Sequence, residues 1–399
     1  MSREEYLRTG FDIALSQCAP AKSRETECFY PFRVISTTDP DGCPVCGQPP
    51  GDDSRRAEMG IELESPLDLH RAGFYVASMS NRLVGVAGVM LLAVTLCASE
   101  NKGVKITELE NKLTVEVNGE LFTEYIFKGA PHVYFYPVIG PGKAPMTRNY
   151  PMKNVDGEER DHPHHRSLWY SHGAVNGIDF WGEAGKVGKI VHDKFLELKS
   201  GEESGVIRSV NKWVGPDGSV FCTGEQTFRV YARPANERLF DFDMTIKAGD
   251  KEVVLGDTKE GSIGMRVAET MRSKANKFNT GKPTGQIVLS TGVTGDDAWG
   301  KRADWCDYHG PVEGKTLGVA IFDNPKNPRH PTWWHVRNYG LFAANPFGLH
   351  DFEKQPPNAG DMKIAPNQSV TFRYRFYIHE GDEKQAHVAE RYKEYAAQN

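Results

Sequence analysis

The stretch FDFDMTI at residues 240–246 alternates apolar residues with Asp and Thr, and VTFRYRFYI at residues 370–378 repeats the alternation near the end of the chain. Successive side chains of a β-strand point to opposite faces, so strict alternation predicts strands with one face on an apolar core and one toward water. A similar segment at residues 113–117 runs into Asn118–Gly119, the pair that a type I′ hairpin turn favours. The region after residue 103 is therefore predicted to be a β protein.

Helical periodicity is scarce, and its clear case lies at the C-terminus. Asp382 is positioned to cap a helix in which Val388, Tyr392 and Tyr395 recur at i, i+4 and i+7. The strands fill residues 104–399 without a linker, which favours one large antiparallel β-sandwich over two domains. By analogy of size, we expect the all-β supersandwich of the galactose-mutarotase type with a short C-terminal helix.

Composition narrows the classes of partner. Of the 399 residues, 39% are hydrophobic and 25% are charged, as is usual for a globular protein. The net charge is −5 with Lys and Arg scattered, whereas nucleic-acid binding calls for a basic stripe. Aromatic residues make up 11%, and their rings suit sheets as well as surfaces that stack on sugars. We expect a small-molecule or oligosaccharide substrate and no nucleic acid.

The N-terminal part of the chain differs in character. Arg82 precedes an apolar run at residues 83–96, the order of a secretory signal, and the run is shorter than the roughly 20 apolar residues of a membrane span. We predict that residues 79–98 are removed and that the mature protein is periplasmic or secreted, without a membrane span. A buried helix is the alternative. Residues 1–78 lack periodicity and are predicted to be disordered or to precede the true start codon.

Two cysteines, Cys222 and Cys306, lie in the predicted β region. Two cysteines make no disulfide framework, so buried thiols are favoured over a bridge. Upstream, CPVC at residues 43–46 resembles half of a zinc ribbon, but no second CxxC accompanies it.

The stretch DHPHHRSLWYSHGAVNGIDFW at residues 161–181 holds four of the thirteen histidines. Pro163 excludes a central ladder position, so the segment is an edge or a rim loop. If it is extended, His162 and His164 share one face, and this spacing is also frequent among metal ligands. Possible further ligands or orienting groups are Asp161, His172 and Asp179.

Three other stretches place charged groups beside aromatic ones: GDTKEG at residues 256–261, DWCDYHG at 304–310 and HPTWWHVRNYG at 330–340. Because loops carry function on a rigid scaffold, we expect all four stretches to share one cleft. The plainer alternative is structural histidines and core tryptophans. The residues predicted to bind substrate are Arg166, Trp169, His172, Asp257, Lys259, His309, Trp333, Arg337, Asn338 and Asn345.

These stretches, together with PVIGPGKAPMTRNYP at residues 137–151, resemble the bacterial PmoA-like family, known as methane oxygenase PmoA or as a domain of unknown function. The resemblance runs from about Tyr125 to Ile378. Such proteins are typical of bacteria with large polysaccharide-degrading repertoires, so the resemblance implies a role with carbohydrates. The methane monooxygenase subunit of that name is a multi-helix membrane protein, whereas this chain is strand-rich. No mechanism and no site residue is carried over.

The main hypothesis is an exported enzyme, a hydrolase, lyase or epimerase, that acts on a sugar or glycoside. His164 and Glu260 are predicted to face each other as an acid–base pair, with His162 and His335 beside them. His164 is preferred because Pro163 fixes the preceding backbone and Arg166 would depress the histidine's pKa. Glu260 is preferred because the following glycine allows a close approach of ligand to the backbone.

Two alternatives remain open. In a metalloprotein, His162 and His164 would join His309 or His335 and a carboxylate from Glu260 or Asp161 around a divalent ion. In a non-catalytic carbohydrate-binding module, the aromatic side chains would matter and the acid–base pair would not. We assign no cofactor and no metal.

Overall fold

The computed structural model describes residues 102–282 and 284–398. The predictions for residues 1–78 and for the signal segment 79–98 fall outside these ranges and stay predictions. Within the described residues, no helix has the length and apolar character needed to cross a bilayer.

The regular secondary structure of the described residues is almost wholly strand. The strands are β1 Val104–Glu108, β2 Lys112–Val117, β3 Glu120–Ile126, β4 Tyr134–Val138, β5 Leu168–His172, β6 Lys189–Lys199, β7 Ser204–Val214, β8 Val220–Tyr231, β9 Glu237–Ala248, β10 Val253–Leu255, β11 Gly261–Arg266, β12 Gln286–Leu289, β13 Trp305–Val312, β14 Lys315–Asp323, β15 Trp333–Val336, β16 Leu341–Asn345, β17 Met362–Ile364 and β18 Ser369–Glu380. The α-helices are α1 Leu349–Glu353 and α2 Val388–Ala397, and 3₁₀ turns lie at Pro141–Lys143, Glu269–Met271 and Gly295–Ala298.

Two antiparallel eight-stranded sheets form the protein's two layers. The first sheet has the order β1-β2-β3-β4-β5-β11-β16-β15, the second has the order β12-β13-β14-β18-β9-β8-β7-β6, and β10 pairs with β17 separately. Aromatic pairs join the inner faces of the two sheets, such as Phe135 with Phe228 at 4.2 Å and Tyr170 with Phe242 at 6.2 Å between ring centroids. The predicted large antiparallel β-sandwich is confirmed.

The two alternating stretches that decide the fold pair with each other. Strands β9 and β18 are antiparallel neighbours in the second sheet, with Phe240 opposite Phe376 and their rings stacked at 4.7 Å. On the outer face, Asp241 lies opposite Arg375 and accepts two hydrogen bonds from its guanidinium, at 2.6 and 2.9 Å. Alternation therefore separates a fully buried aromatic core from a polar outer face, as predicted.

The predicted hairpin and C-terminal helix are also present, with one correction. Asn118 and Gly119 join β2 to β3 with φ values of 52° and 80°, the left-handed region that a type I′ turn needs. Helix α2 buries Val388, Tyr392 and Tyr395 against the outer face of the second sheet. Asp382 as the cap of this helix is wrong, because its carboxylate accepts the backbone N–H groups of the preceding turn at residues 384 and 385.

Cys222 on β8 and Cys306 on β13 are buried and free. Burial raises the pKa of the Cys222 thiol to about 12, so it stays protonated and packs as a small apolar group. The prediction that these two cysteines are buried thiols, and not a disulfide, agrees with the structure.

Candidate functional site

On the outer face of the first sheet, one row of cross-strand neighbours runs from β5 to β15, and the two residues in its middle have little or no side chain. Trp169 on β5 lies opposite Gly264 on β11, and Gly264 lies opposite Ala343 on β16. Ala343 in turn lies opposite His335 on β15. A Cβ atom at Gly264 would come within 2.8 Å of the Trp169 indole, so the glycine makes room for that ring across the sheet. Because two adjacent strands present almost no side chain here, the sheet forms the floor of a depression.

A cavity of about 630 Å³ lies at this floor, and we call it the histidine cleft. The four residues predicted to be catalytic, His162, His164, Glu260 and His335, all line it, although the sequence separates them by up to 173 positions. Its lining comes from loops and strand ends and consists of His162, His164, His165, Asp179, Trp181, Gly182, Lys259, Glu260, Trp299, His335, Arg337, Tyr339 and Asp351.

The segment from Asp161 to Ser167 forms a tight turn. It is not extended, so the placement of His162 and His164 on one face of a strand does not apply. The N–H of His165 donates to the carbonyl of His162 at 3.0 Å, and His162 has a φ of 44°. The turn brings three imidazoles together where an extended chain would alternate them. The rings of His162 and His165 stack at 4.7 Å, and those of His164 and His165 meet edge-on at 4.5 Å.

The stacked imidazoles belong to a longer column of rings. Tyr339 stacks on His162 at 5.0 Å with an interplanar angle of 7°, and His165 stacks on Trp169 at 5.3 Å. Arg266 donates to Nδ1 of His165 at 3.0 Å, which requires that nitrogen to be unprotonated. Burial and then the charge of Arg266 hold the pKa of His165 well below its usual value, so His165 is a neutral part of the floor.

Asp161 holds His162 in place within this column. It accepts hydrogen bonds from the fully buried guanidinium groups of Arg148 and Arg266 and, at 2.6 Å, from Nδ1 of His162. Burial alone would raise the pKa of Asp161, but the hydrogen bond from His162 and the two arginine charges hold it well below the usual range. An ionised Asp161 keeps the proton of His162 on Nδ1, so that Nε2 is the nitrogen left for a ligand.

His164 and His335 are uncharged at neutral pH. Burial lowers the pKa of His164 to about 4, with help from the neighbouring His162. Burial lowers the pKa of His335 to about 3, with help from the Arg337 charge. The prediction that Arg166 lowers the pKa of His164 is wrong. The Arg166 guanidinium is instead bound by Glu183, at 2.6 and 2.8 Å.

Glu260 lies immediately before β11, and burial raises the pKa of its carboxyl group. Asp179 and Asp351 raise it further, while Lys259 and His162 act in the opposite direction. The expected reason for Gly261 is wrong. A Cβ atom there would come within 2.8 Å of His172, so the glycine makes room for a protein side chain and not for a ligand.

Among the residues predicted to bind substrate, Lys259 and Arg337 line the cleft and the others lie outside its lining. Trp169 is the buried end of the column of rings, and Arg166 is held by Glu183. The Nε2–H group of His172 donates to the Gly256 carbonyl at 2.9 Å, and the ring packs on Phe347.

Asp257 and Asn345 bind backbone groups. The Asp257 carboxylate accepts the N–H groups of His350 and Gly360, and the Asn345 amide donates to the carbonyls of residues 258 and 259. Both therefore shape the loop that carries Glu260. Polar side chains of this kind look functional in a sequence because loop scaffolding needs the same residue types.

Trp333, Asn338 and His309 have partners elsewhere. The Trp333 indole donates to Glu353 at 2.7 Å, and Asn338 donates to Asp296 at 2.9 Å. His309 lies on β13 in the second sheet, which excludes it from a cleft on the first sheet.

Several lining residues lie outside the set predicted from the sequence. Asp179 was predicted only as a further metal ligand or an orienting group, and Trp299, Tyr339 and Asp351 carried no prediction. Tyr339 adjoins Arg337 and Asn338 in a stretch already singled out, so its ring was within reach of the same reasoning. Trp299 directly follows a 3₁₀ turn and Asp351 lies in helix α1, and no local pattern connects them with histidines more than 130 residues away.

A second group of histidines and carboxylates lies on the outer face of the second sheet. Asp307 accepts hydrogen bonds from His309 at 2.7 Å and from His379 at 2.8 Å, and Glu383 lies 3.7 Å from His309. We call these four residues the outer-face cluster. In the described part of the chain, Asp307, His309 and Glu383 are the His and carboxylate residues whose ligand atoms converge within 4.8 Å. The cleft histidines do not converge in this way, so the metalloprotein alternative gains no support there.

A comparison with known protein families shows the family to which this chain belongs. The family model that matches residues 112–393, well over half of the chain, is described as a family of unknown function, DUF6807. The chain belongs to this family. The expected resemblance to the PmoA-like family is wrong, because nothing links the matching DUF6807 family to PmoA or to a methane oxygenase. No curated protein matches the DUF6807 chain in sequence.

Solved structures similar to this DUF6807 protein include carbohydrate-acting enzymes. The heparan sulfate lyase HepC from Pedobacter heparinus has 10% identity and a TM-score of 0.32 over 71% of this chain, which spans only 36% of that lyase. A putative aldose 1-epimerase from Klebsiella pneumoniae has 10% identity and a TM-score of 0.34, covering 73% of this chain and 87% of the epimerase. The galactose 1-epimerase of Lactobacillus acidophilus has 8% identity and a TM-score of 0.30, with 70% and 98% covered. The antiparallel β-sandwich is established by the strands themselves, and likenesses this weak carry no argument about fold type, reaction or substrate.

Proposed function

We propose that this protein is an enzyme that acts on a sugar or glycoside by acid–base chemistry in the histidine cleft. One observation carries the proposal: a neutral histidine, His164, and a carboxyl group with a raised pKa, Glu260, line the same cavity. Pairs of titratable groups whose pKa values are shifted by their surroundings are typical of catalytic acids and bases.

Each of the two groups suits one half of a proton transfer. A histidine with a pKa of about 4 is uncharged at neutral pH and accepts a proton, whereas a buried carboxyl group retains one to higher pH than usual. Hydrolysis, elimination and epimerisation all need one group that takes a proton and one that gives it. His162, positioned by Asp161, offers its Nε2 as a second base beside this pair.

The walls of the cleft suit a sugar ring. Trp181, Trp299 and Tyr339 present aromatic surface, and sugars bind such surface through their C–H faces. A volume of about 630 Å³ lies within the range of small-ligand sites, roughly 300–1,000 Å³.

The test is a panel of neutral and acidic mono- and oligosaccharides, followed by NMR so that bond cleavage, double-bond formation and epimerisation are all visible. Once a reacting saccharide is found, His164→Ala and Glu260→Gln are each expected to lower kcat by about 10²- to 10⁴-fold, because each removes one proton-transfer group. His387→Asn and Glu390→Gln, at exposed positions at the start of α2, are the matched controls. Binding without turnover by the wild-type protein would make it a carbohydrate-binding module instead.

The pH dependence of kcat tests the assignment independently. The acidic limb is expected near the His164 pKa of about 4, because protonation removes the base. The alkaline limb is expected at the raised pKa of Glu260, where the acid loses its proton. An acidic limb near 6.5, the value of an unperturbed histidine, would contradict the role of His164.

We also propose export, with removal of residues 79–98. The support is the charged and apolar order of that segment in the sequence. N-terminal sequencing of the protein expressed in a bacterium should find a start near residue 99. A cytoplasmic protein that retains residues 83–96 would overturn this proposal.

A further inference from the structure

Arg337 differs from the other arginines near the histidine cleft. Arg148, Arg166 and Arg266 each bind a carboxylate through their guanidinium groups. Arg337 lines the cleft and is exposed, and within the described residues its guanidinium has no hydrogen bond or carboxylate partner. It is thus a positive charge that the folded protein leaves unneutralised beside the proposed acid–base pair.

Two rings and a turn hold Arg337 in place. Its guanidinium carbon lies 5.7 Å from the ring centroids of both Trp299 and Tyr339. Its backbone N–H donates to Leu341 and its carbonyl accepts from Gly340, which closes the turn between β15 and β16. Because the side chain is flanked by aromatic surface, it loses less conformational entropy on binding a ligand than a free surface arginine would.

The remaining charges of the cleft are engaged within the protein. Asp351 accepts the backbone N–H of Lys259 at 2.8 Å and lies 3.9 Å from its ammonium group. Asp179 accepts the N–H groups of Trp181 and Gly182 at 2.7 and 3.0 Å. The free polar groups that a ligand meets are therefore the Arg337 guanidinium, the Glu260 carboxyl and the imidazoles.

We propose that the substrate of this site is an acidic sugar and that Arg337 binds its carboxylate, which makes uronic acid residues the substrate class. The proposal rests on the proposed function. A guanidinium presents parallel N–H donors that match the two oxygens of one carboxylate. A sulfate or phosphate ester is less suited, because the other cation of the lining, Lys259, lies 3.9 Å from Asp351, and the carboxyl groups of Glu260 and Asp351 line the same cavity.

The experiment compares matched ligands that differ at one group. Isothermal titration measures the affinity of the full chain for methyl glucuronide and methyl galacturonide, each against the corresponding neutral methyl glycoside, and for glucose 6-sulfate. At least one uronide is expected to bind about 10- to 100-fold more tightly than its neutral partner, the range of one charge-assisted pair. Arg337→Gln should abolish that ratio through a loss of affinity for the uronide, while Arg337→Lys should retain part of it.

Arg229→Gln on β8, in the other sheet, is the control and should leave the ratio intact. Thermal unfolding checks that the Arg337 variants remain folded, which the exposure of this side chain predicts. A ratio that survives Arg337→Gln, a preference for the neutral glycoside, or an Arg337-dependent preference for the sulfate would overturn the carboxylate assignment. If no saccharide of either kind binds, the proposed function fails with it. If neutral and acidic sugars bind equally, only this inference fails.

Discussion

The histidine cleft and the outer-face cluster use the same residue types on opposite sides of the sandwich and differ in what those residues bind. In the outer-face cluster, Asp307 is fully buried and both of its oxygens accept hydrogen bonds from histidines. In the cleft, Asp161 likewise orients His162, but the His162 side chain is 40% exposed against 10% for His309. The cleft leaves ring nitrogens and a carboxyl group for a ligand, whereas the cluster uses them within the protein.

The comparison shows why residue identity alone does not locate a site. A buried carboxylate must be paired wherever it occurs, so a histidine beside it is equally expected in a scaffold and in an active site. The difference lies in whether hydrogen-bonding capacity remains at a concave surface. His164 and Glu260 retain it, and the cluster residues largely do not.

The largest expected effect separates stability from turnover between the two regions. Asp307→Asn should lower the free energy of unfolding by about 3–5 kcal/mol, because it removes the negative partner of two histidines in a buried network. Turnover at the cleft should stay within about twofold of the wild type, since no cluster residue lines the cleft. Urea unfolding and the rate on the substrate found above measure the two quantities.

Asp161→Asn is the matched variant in the cleft. It should cost less stability than Asp307→Asn, because the Asp161 side chain is 32% exposed and water partly screens its pairs with Arg148 and Arg266. It should lower turnover strongly, since His162 loses the group that orients it. An Asp307 variant that stays stable and loses activity would reverse the roles given to the two regions.

A smaller effect, of opposite sign in the two regions, is expected from pH. The pKa values of His164 and His335 lie below the unfolded value of about 6.5, so the unfolded state binds more protons on acidification. Stability from these groups is intact above pH 6.5 and is lost as pH falls toward about 4 and 3. The pKa of His309 is raised despite its burial, because Asp307 and Glu383 favour its charged form. Its contribution is therefore full below pH 6.5 and is lost as pH rises through its folded pKa.

Unfolding measured from pH 4 to pH 8 for the wild type, His164→Asn and His309→Asn tests these signs. Relative to the wild type, His164→Asn should become more stable as pH falls, by about 1–3 kcal/mol at pH 4. His309→Asn should instead lose stability relative to the wild type as pH falls toward 6.5. Parallel curves for the two variants would show that the two environments do not differ as described.

Local physics explains which features the sequence predicts. Alternation identified β9 and β18 because a strand buried on one face must alternate, and Asn118–Gly119 identified its turn because both residues need positive φ. The four predicted catalytic residues line one cleft, since charged and aromatic groups concentrate in the loops that surround it. The histidine turn escaped prediction because Pro163 excludes a regular strand without specifying the conformation that replaces it.

Long-range pairing explains the rest. His309 was grouped with the cleft by residue type, but its strand pairs into the other sheet, which no local pattern reveals. Asp257 and Asn345 were also predicted to bind substrate, because loop scaffolding and ligand binding use the same amides and carboxylates. The floor of the cleft depends on Gly264 facing Ala343 across two strands, and that register exists only in the folded sheet.

The smallest effect is expected at Asn338, the neighbour of Arg337, which the sequence placed among the substrate-binding residues. Its amide donates to Asp296 at 2.9 Å, and its own carbonyl accepts from Lys274. Asn338→Ala removes one exposed side-chain hydrogen bond and keeps the backbone contact, so the free energy of unfolding should fall by about 0.5–1 kcal/mol. Affinity for the uronide and turnover should stay within about twofold of the wild type, whereas Arg337→Gln one residue away should lose the preference for acid. A loss of affinity in Asn338→Ala as large as that in Arg337→Gln would mean that the whole turn, and not the guanidinium, sets recognition. The contrast between these adjacent variants therefore measures how far the cleft depends on a charge and how far on the shape of the turn that presents it.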